Sequence, residues 1–129
     1  MNEALKKYIE SWFEKGNNDL LTAQRLIEIE PMILDNACFH CQQAIEKYLK
    51  AYLIYNTTEI ERTHNINYLL IECAKHDSAF NEIDVKDISA FAVSIRYPDT
   101  VVMPDISEVK EYYQMALTVK KIVTDRVNL

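Results

Sequence analysis

The sequence contains very little glycine and proline, with one glycine and three prolines in 129 residues. An all-β chain needs many such residues for its turns, whereas helices joined by a few loops need little of either. A chain of this length can bury roughly two-thirds of the surface that it exposes when unfolded. We therefore predict an all-α protein that forms a single domain over residues 1–129.

Long apolar runs and an excess of positive charge are also missing. The sequence has no apolar run of about 18 residues and no charged-then-apolar leader, so we expect neither a membrane span nor a secretory signal. We accordingly expect a cytoplasmic protein. A net charge of −6 argues against a broad binding surface for duplex nucleic acid, although it leaves room for a local basic patch.

The three cysteines are an odd number for a disulfide framework and suit a reducing compartment. Cys38 and Cys41 form a C-x-x-C pair, but no predicted strand precedes it as in a thioredoxin-like motif. With Cys73 they would still lack a fourth ligand for zinc. We predict that the thiols act as small buried hydrophobes and that the protein uses no metal and no cofactor.

The chain is organised around the stretch from Asp35 to Tyr55, which has helical periodicity. Its apolar side chains cover well over half of a helical wheel, which predicts a central helix that other elements contact from several sides. Gln42 and Glu46 lie at the edge of this arc, so we expect both to have partners. The remaining polar strip is narrow and consists of Asn36, His40, Gln43, Lys47 and Lys50.

Four further helices flank the central one. The first is predicted over residues 3–29, and the others begin at caps: Thr63 for a helix to about Asp77, Asp84 for a fourth, and Ser107 for the last. On the first helix, Gly16 would permit close approach of a neighbouring backbone. Asp19 is either a placed carboxylate or, in the interpretation we favour, the partner of a lysine on the central helix.

Four segments of this chain together resemble the HEPN domain family. They are Ala37 to Leu53, Trp12 followed by Asp19 and Leu20, Thr63 to Leu69, and Ile95 to Asp99. The resemblance implies an up-and-down helical bundle of about five helices, usually a homodimer and often encoded beside a minimal nucleotidyltransferase. Some members are ribonuclease toxins held in check by that partner. Others resemble the helical, substrate-binding domain of kanamycin nucleotidyltransferase.

Ribonuclease members carry an arginine followed, after four to six intervening residues, by a histidine. A histidine can move the 2′-hydroxyl proton while a fixed guanidinium holds the phosphate. Here Arg96 matches the arginine, but the positions for the histidine hold Val101, Val102 and Met103. General acid–base catalysis contributes about 10²–10⁴-fold, so we predict a chain that is not a ribonuclease and has no catalytic residue.

Six residues remain as candidates for ligand binding. Arg96 would hold a phosphate and Tyr97 would stack on a base. In the alternative interpretation Arg96 pairs with Asp99 and Tyr97 packs the loop onto the bundle. Lys50 is equally well placed to pair with Glu46 one helical turn away. The full set is Arg96, Tyr97, Asp99, Lys47, Lys50 and His64.

Three functions follow from these observations. The leading hypothesis is a non-catalytic subunit that binds a nucleotide or a phosphate through Arg96 and nearby residues, forms a homodimer and partners a minimal nucleotidyltransferase. The second is a ribonuclease toxin that uses Arg96 with His64 or His40 in place of the missing histidine. The third is a purely structural interaction module.

Overall fold

The computed structural model of this chain describes residues 1–60, 62–90 and 103–129. These residues form four α-helices and one short 3-10 helix, and they contain no β-strand. The all-α prediction is therefore confirmed. The described residues contain four α-helices, whereas about five helices were predicted. The helices are α1 (Glu3–Glu28), α2 (Leu34–Tyr55), α3 (Ile66–Ala74) and α4 (Ile106–Arg126), with the 3-10 helix η1 (Ser78–Glu82) after α3.

Helix α2 is the central element, as its wide apolar arc predicts. Fourteen of its 22 residues are buried. It packs against α1, α3 and α4, and α1 and α4 contact each other only slightly. The sides of α2 therefore contribute to two clusters of buried apolar side chains, a large one and a smaller one of Ile9, Ala51 and Ile54. Polar residues on α2 have to find their partners inside the bundle.

Close packing between α1 and α2 depends on Gly16. A Cβ atom at this position would lie 2.8 Å from Cε1 of Tyr48, which is closer than real Cβ contacts. The Tyr48 hydroxyl donates a hydrogen bond of 2.6 Å to Asn17 Oδ1 on the same stretch of α1. A close approach at Gly16 is thus present, but the nearest atoms belong to the ring of Tyr48 and not to a neighbouring backbone, as was predicted.

Two predicted helix caps are wrong by two residues. Helix α3 is capped by Asn65, whose Oδ1 accepts from the Tyr68 N–H at 3.1 Å, and not by Thr63. Helix α4 is capped by Asp105 in a capping box with Glu108, and not by Ser107. A carboxylate followed three positions later by glutamate satisfies two orphan N–H groups reciprocally, which a lone serine cannot do.

The predicted fourth helix does not begin at Asp84. Residues 86–89 form turns, and the Asp84 carboxylate accepts a hydrogen bond of 2.9 Å from the backbone N–H of Lys86. Lys86 itself has φ of 50°, in the left-handed region that a continuing helix excludes. The remainder of the predicted helix, from Phe91 through Ile95, lies outside the described residues.

Candidate functional site

The side of α2 that reaches solvent is a narrow polar strip. Four of its residues are half-buried, and they recur at three- and four-residue spacing: Asn36, His40, Gln43 and Lys47. Lys50 and Glu46 continue the strip toward the C-terminal end of α2, where both are buried. Buried charges need partners. The positions of the basic side chains on this strip therefore depend on the carboxylates that lie beside it.

The first group of partners is the Asp19 cluster, which consists of Asp19, His40 and Lys47. Asp19 on α1 is 10% exposed in its side chain and lies 2.9 Å, through Oδ1, from Nδ1 of His40. Its other oxygen, Oδ2, accepts a hydrogen bond from Lys47 Nζ. The interpretation of Asp19 as the ion-pair partner of a lysine on the central helix is confirmed. His40, on the same polar strip, shares this carboxylate with Lys47.

The second group is the Glu46 cluster, which consists of Glu46, Lys50 and His64. The Glu46 side chain is 3% exposed, and its Oε1 accepts from Lys50 Nζ at 2.9 Å. The same oxygen lies 2.7 Å from Nδ1 of His64, which is in the connection before α3. On its other side, Lys50 Nζ lies 5.5 Å from the centroid of the Trp12 ring on α1. The cluster therefore joins three parts of the chain around one buried carboxylate.

The carboxylates determine which imidazole nitrogen carries a proton. A carboxylate oxygen only accepts hydrogen bonds, so Nδ1 of His40 and Nδ1 of His64 are the protonated nitrogens in the neutral rings. The Nε2 atoms are then the nitrogens left for another contact. The two rings differ in access, because the side chain of His40 is 29% exposed and that of His64 is 69% exposed.

Three buried polar atoms near these clusters have no hydrogen-bond partner in the described part of the chain. They are Trp12 Nε1, Gln42 Oε1 and Glu46 Oε2. An unsatisfied buried group costs about 1–3 kcal/mol, which is why partners were predicted for Gln42 and Glu46. The prediction holds for Oε1 of Glu46 and not for Oε1 of Gln42.

The structure brings some of the candidate residues together and leaves others apart. Lys47 belongs to the Asp19 cluster, and Lys50 and His64 belong to the Glu46 cluster. Arg96, Tyr97 and Asp99 lie outside the described residues. No spacing rule in the sequence pairs His40 with Asp19 or His64 with Glu46. The spacing of His40 and Lys47 by seven residues on one helical face was the available signal that they share a partner.

The three cysteines lie in the core and not in either cluster. All three are free and buried, and burial raises the pKa of Cys38, Cys41 and Cys73 to about 12. The thiols therefore stay protonated near neutral pH, which disfavours the thiolate needed for metal binding or nucleophilic attack. No group of His, Cys, Asp and Glu side chains among the described residues is arranged to hold a metal ion.

A groove formed by the described residues does not coincide with either cluster. It lies between α1 and the C-terminal end of α4, has a volume of about 480 Å³, and includes Phe13, Lys120 and Val127 in its lining. None of the residues of the Asp19 and Glu46 clusters lines it.

Within the described part of the chain, no helix combines the length and the apolar character that crossing a membrane requires.

The fold and the clusters define an all-α protein whose central helix carries paired charges along one polar strip. The family model of the HEPN domain matches residues 9–127, and the chain belongs to this family. Searches of curated proteins and of solved structures gave no match. Membership of the HEPN domain family supports a function related to nucleotides or RNA in general.

Proposed function

We propose that this chain is a non-catalytic HEPN subunit that binds a nucleotide or a phosphate group through Arg96 and nearby residues. Family membership over residues 9–127 supports a ligand of this class. The sequence supports the absence of catalysis, because Val101, Val102 and Met103 occupy the positions where ribonuclease members carry their histidine. In this proposal the protein is a homodimer and the binding partner of a minimal nucleotidyltransferase.

The observation that carries the proposal is the Glu46 cluster. Lys50 is fully committed there, with its side chain 9% exposed and its ammonium group on Glu46. His64 is held by the same oxygen but is 69% exposed, and its Nε2 has no partner among the described residues. An imidazole N–H group held at the surface can donate a hydrogen bond to an anionic oxygen. His64 is thus the described candidate best able to contact a phosphate.

Nucleotide binding by the wild-type protein and by Arg96→Ala tests the proposal. Isothermal titration with the four ribonucleoside triphosphates and with a uridine hexanucleotide should detect binding. Loss of the guanidinium should weaken it at least tenfold, about 1.4 kcal/mol, because hydrogen bonds to charged groups contribute about 1.5–3 kcal/mol. Arg25→Ala is the matched control, since its side chain is 70% exposed and its ion-pair partner is Glu28 at 3.6 Å.

The outcomes of this titration separate the competing functions. Absence of affinity for every ligand contradicts the proposal and leaves the structural interaction module. An RNA recovered intact agrees with a non-catalytic subunit. Cleavage of the RNA that is lost in His64→Ala or His40→Ala would instead establish the ribonuclease, because both imidazoles are oriented through Nδ1 by a carboxylate in the manner of a general base.

The partner is tested by expressing the protein with its genomic neighbours. Native mass spectrometry of the purified material should show two copies of this chain in complex with a second protein that has nucleotidyltransferase activity. A homodimer that retains no second chain would contradict the partner assignment. A bare monomer would contradict the dimer as well.

A further inference from the structure

We propose that the groove between α1 and the C-terminal end of α4 binds a small organic monocation, a molecule with one ammonium or guanidinium group on an apolar body. This ligand is opposite in charge to the nucleotide or phosphate of the proposed function. None of the described residues that line the groove belongs to the candidates for phosphate binding. The inference therefore goes beyond the proposed function and does not depend on it.

The groove offers space for a small molecule. It lies where α1 and α4 both pack against α2 but contact each other only slightly. Its volume of about 480 Å³ is within the range of about 300–1,000 Å³ that is usual for sites of small ligands. Its lining on α1 extends from Glu10 to Asn18, which corresponds to about 12 Å along the helix. An elongated organic molecule, and not a bare inorganic ion, matches a space of this size.

The apolar side chains of the groove rest on the core. Phe13 and Val127 line the groove, and both pack against the large and the small cluster of buried apolar side chains. The ring of Phe13 is supported by the fully buried ring of Tyr48, with 6.0 Å between the two centroids. Leu129 adds a third apolar side chain, which is 41% exposed. Removal of this surface from water favours a ligand with a hydrocarbon or aromatic body.

Two carboxylates on α1 provide the preference for a cation. Glu10 and Glu14 line the groove, are exposed, and take part in no ion pair among the described residues. Side chains four residues apart on a helix are neighbours, so these two like charges destabilise each other. A cationic group that binds between them removes this repulsion and donates charge-assisted hydrogen bonds to the carboxylates.

The remaining polar groups of the groove limit the ligand to one positive charge. Lys120 lines the groove from α4 and likewise takes part in no ion pair within the described part of the chain. A second cationic group on the ligand would meet this ammonium group. Asn17 also lines the groove, and its Oδ1 already accepts the hydrogen bond of the Tyr48 hydroxyl at 2.6 Å. The N–H groups of this amide are therefore donors for a neutral oxygen of the ligand.

Three probes that share one indole body and differ in charge test the proposal. They are tryptamine, which is a monocation, tryptophol, which is neutral, and indolepropionate, which is an anion. Amide chemical shifts of the full-length protein near pH 7 measure their binding. Tryptamine should bind with a dissociation constant of about 1 mM or lower and shift the amides of the groove. Indolepropionate should bind at least about tenfold more weakly, because it places a negative charge beside two carboxylates.

Two variants separate the charge of the groove from its shape. Glu14→Gln keeps the size of the side chain and should weaken tryptamine binding by about three- to tenfold while the affinity for tryptophol stays the same. Thr124→Phe fills the groove from an exposed position of α4 and should abolish the binding of both probes. The matched controls are Glu28→Gln and Thr118→Phe, which change exposed residues of the same helices outside this groove. Both controls should bind tryptamine as the wild-type protein does.

Several results would overturn the proposal. They are the absence of shifts at about 10 mM tryptamine, equal affinity for tryptamine and indolepropionate, and equal effects of Glu14→Gln and Glu28→Gln. Sedimentation tests a different occupant: a wild-type dimer that becomes a monomer in Thr124→Phe would show that a second copy of this chain fills the groove. Glu14→Gln decides the question if Thr124→Phe does not fold, as judged by circular dichroism. None of these results alters the proposed function, which the nucleotide titration of Arg96→Ala tests separately.

Discussion

Replacing Lys50 by methionine should lower the free energy of unfolding by about 3–5 kcal/mol. Lys50 and Glu46 are 9% and 3% exposed in their side chains, and their ion pair at 2.9 Å is enclosed by α1 and α2. Methionine fills a similar volume but, among the described residues, leaves the Glu46 carboxylate with His64 alone as a partner. Removing one member of a buried pair is costly because the other charge stays buried without compensation. Urea unfolding followed by circular dichroism near pH 7.5 measures the loss.

The double variant Lys50→Met with Glu46→Leu identifies the cause of that loss. It should recover most of the stability, because a buried ion pair and well-packed apolar side chains of similar volume are often close in free energy. Lys47→Met is the matched control and should cost less, since its side chain is 24% exposed and Asp19 keeps His40 as a partner. Additive losses in the double variant would show that Lys50 contributes by packing against Trp12 and not by pairing with Glu46.

The lysine variants are relevant to function because they distinguish residues that hold a buried carboxylate from a residue that would contact a ligand. The sequence places Lys47, Lys50 and His64 in one set of candidates. In the structure the two lysines hold buried or half-buried carboxylates, and only His64 combines such a contact with a largely exposed side chain. A lysine variant should therefore alter stability first, whereas a His64 variant should alter binding and leave stability almost unchanged.

The sequence was sufficient to predict the features that depend only on residues close together along one helix. The apolar arc of residues 35–55 predicted the central helix within one residue of its observed start, and the same pattern predicted that α2 is covered on several sides. The Glu46–Lys50 pair follows from a spacing of four residues on one helix. Periodicity and spacing are properties of a single helix, so no tertiary information was needed.

Contacts that depend on tertiary structure could not be read in the same way. His64 meets Glu46 across 18 residues, and His40 meets Asp19 across 21. Neither pairing has a spacing rule, because it depends on how α1 and the connection before α3 lie on α2. The caps were a different case: the Asp105 and Glu108 pattern was present in the sequence, but a nearby serine offered a competing cap.

Replacing Tyr48 by alanine should lower the free energy of unfolding by about 3–5 kcal/mol, the range measured for truncation of large aromatic side chains in cores. Tyr48 is fully buried, and its ring fills the space that Gly16 leaves open on α1. Glycine has no side chain that could move into the resulting cavity. Burial and the nearby Asp19 carboxylate raise the pKa of Tyr48, so its hydroxyl remains a neutral donor to Asn17. Thermal and urea unfolding monitored by circular dichroism provide the measurement.

Tyr48→Phe is the control that separates the ring from its hydroxyl. It should cost only about 1 kcal/mol, because it keeps the packing against Gly16 and removes one hydrogen bond to Asn17. Tyr48 lies next to Lys47 on α2, and Asn17 lies two residues from Asp19 on α1, so this contact joins the two helices beside the Asp19 cluster. Equal losses for the two variants would mean that the hydroxyl, and not the ring, holds α1 against α2. A small loss for both would mean that α1 and α2 can close over the cavity despite Gly16.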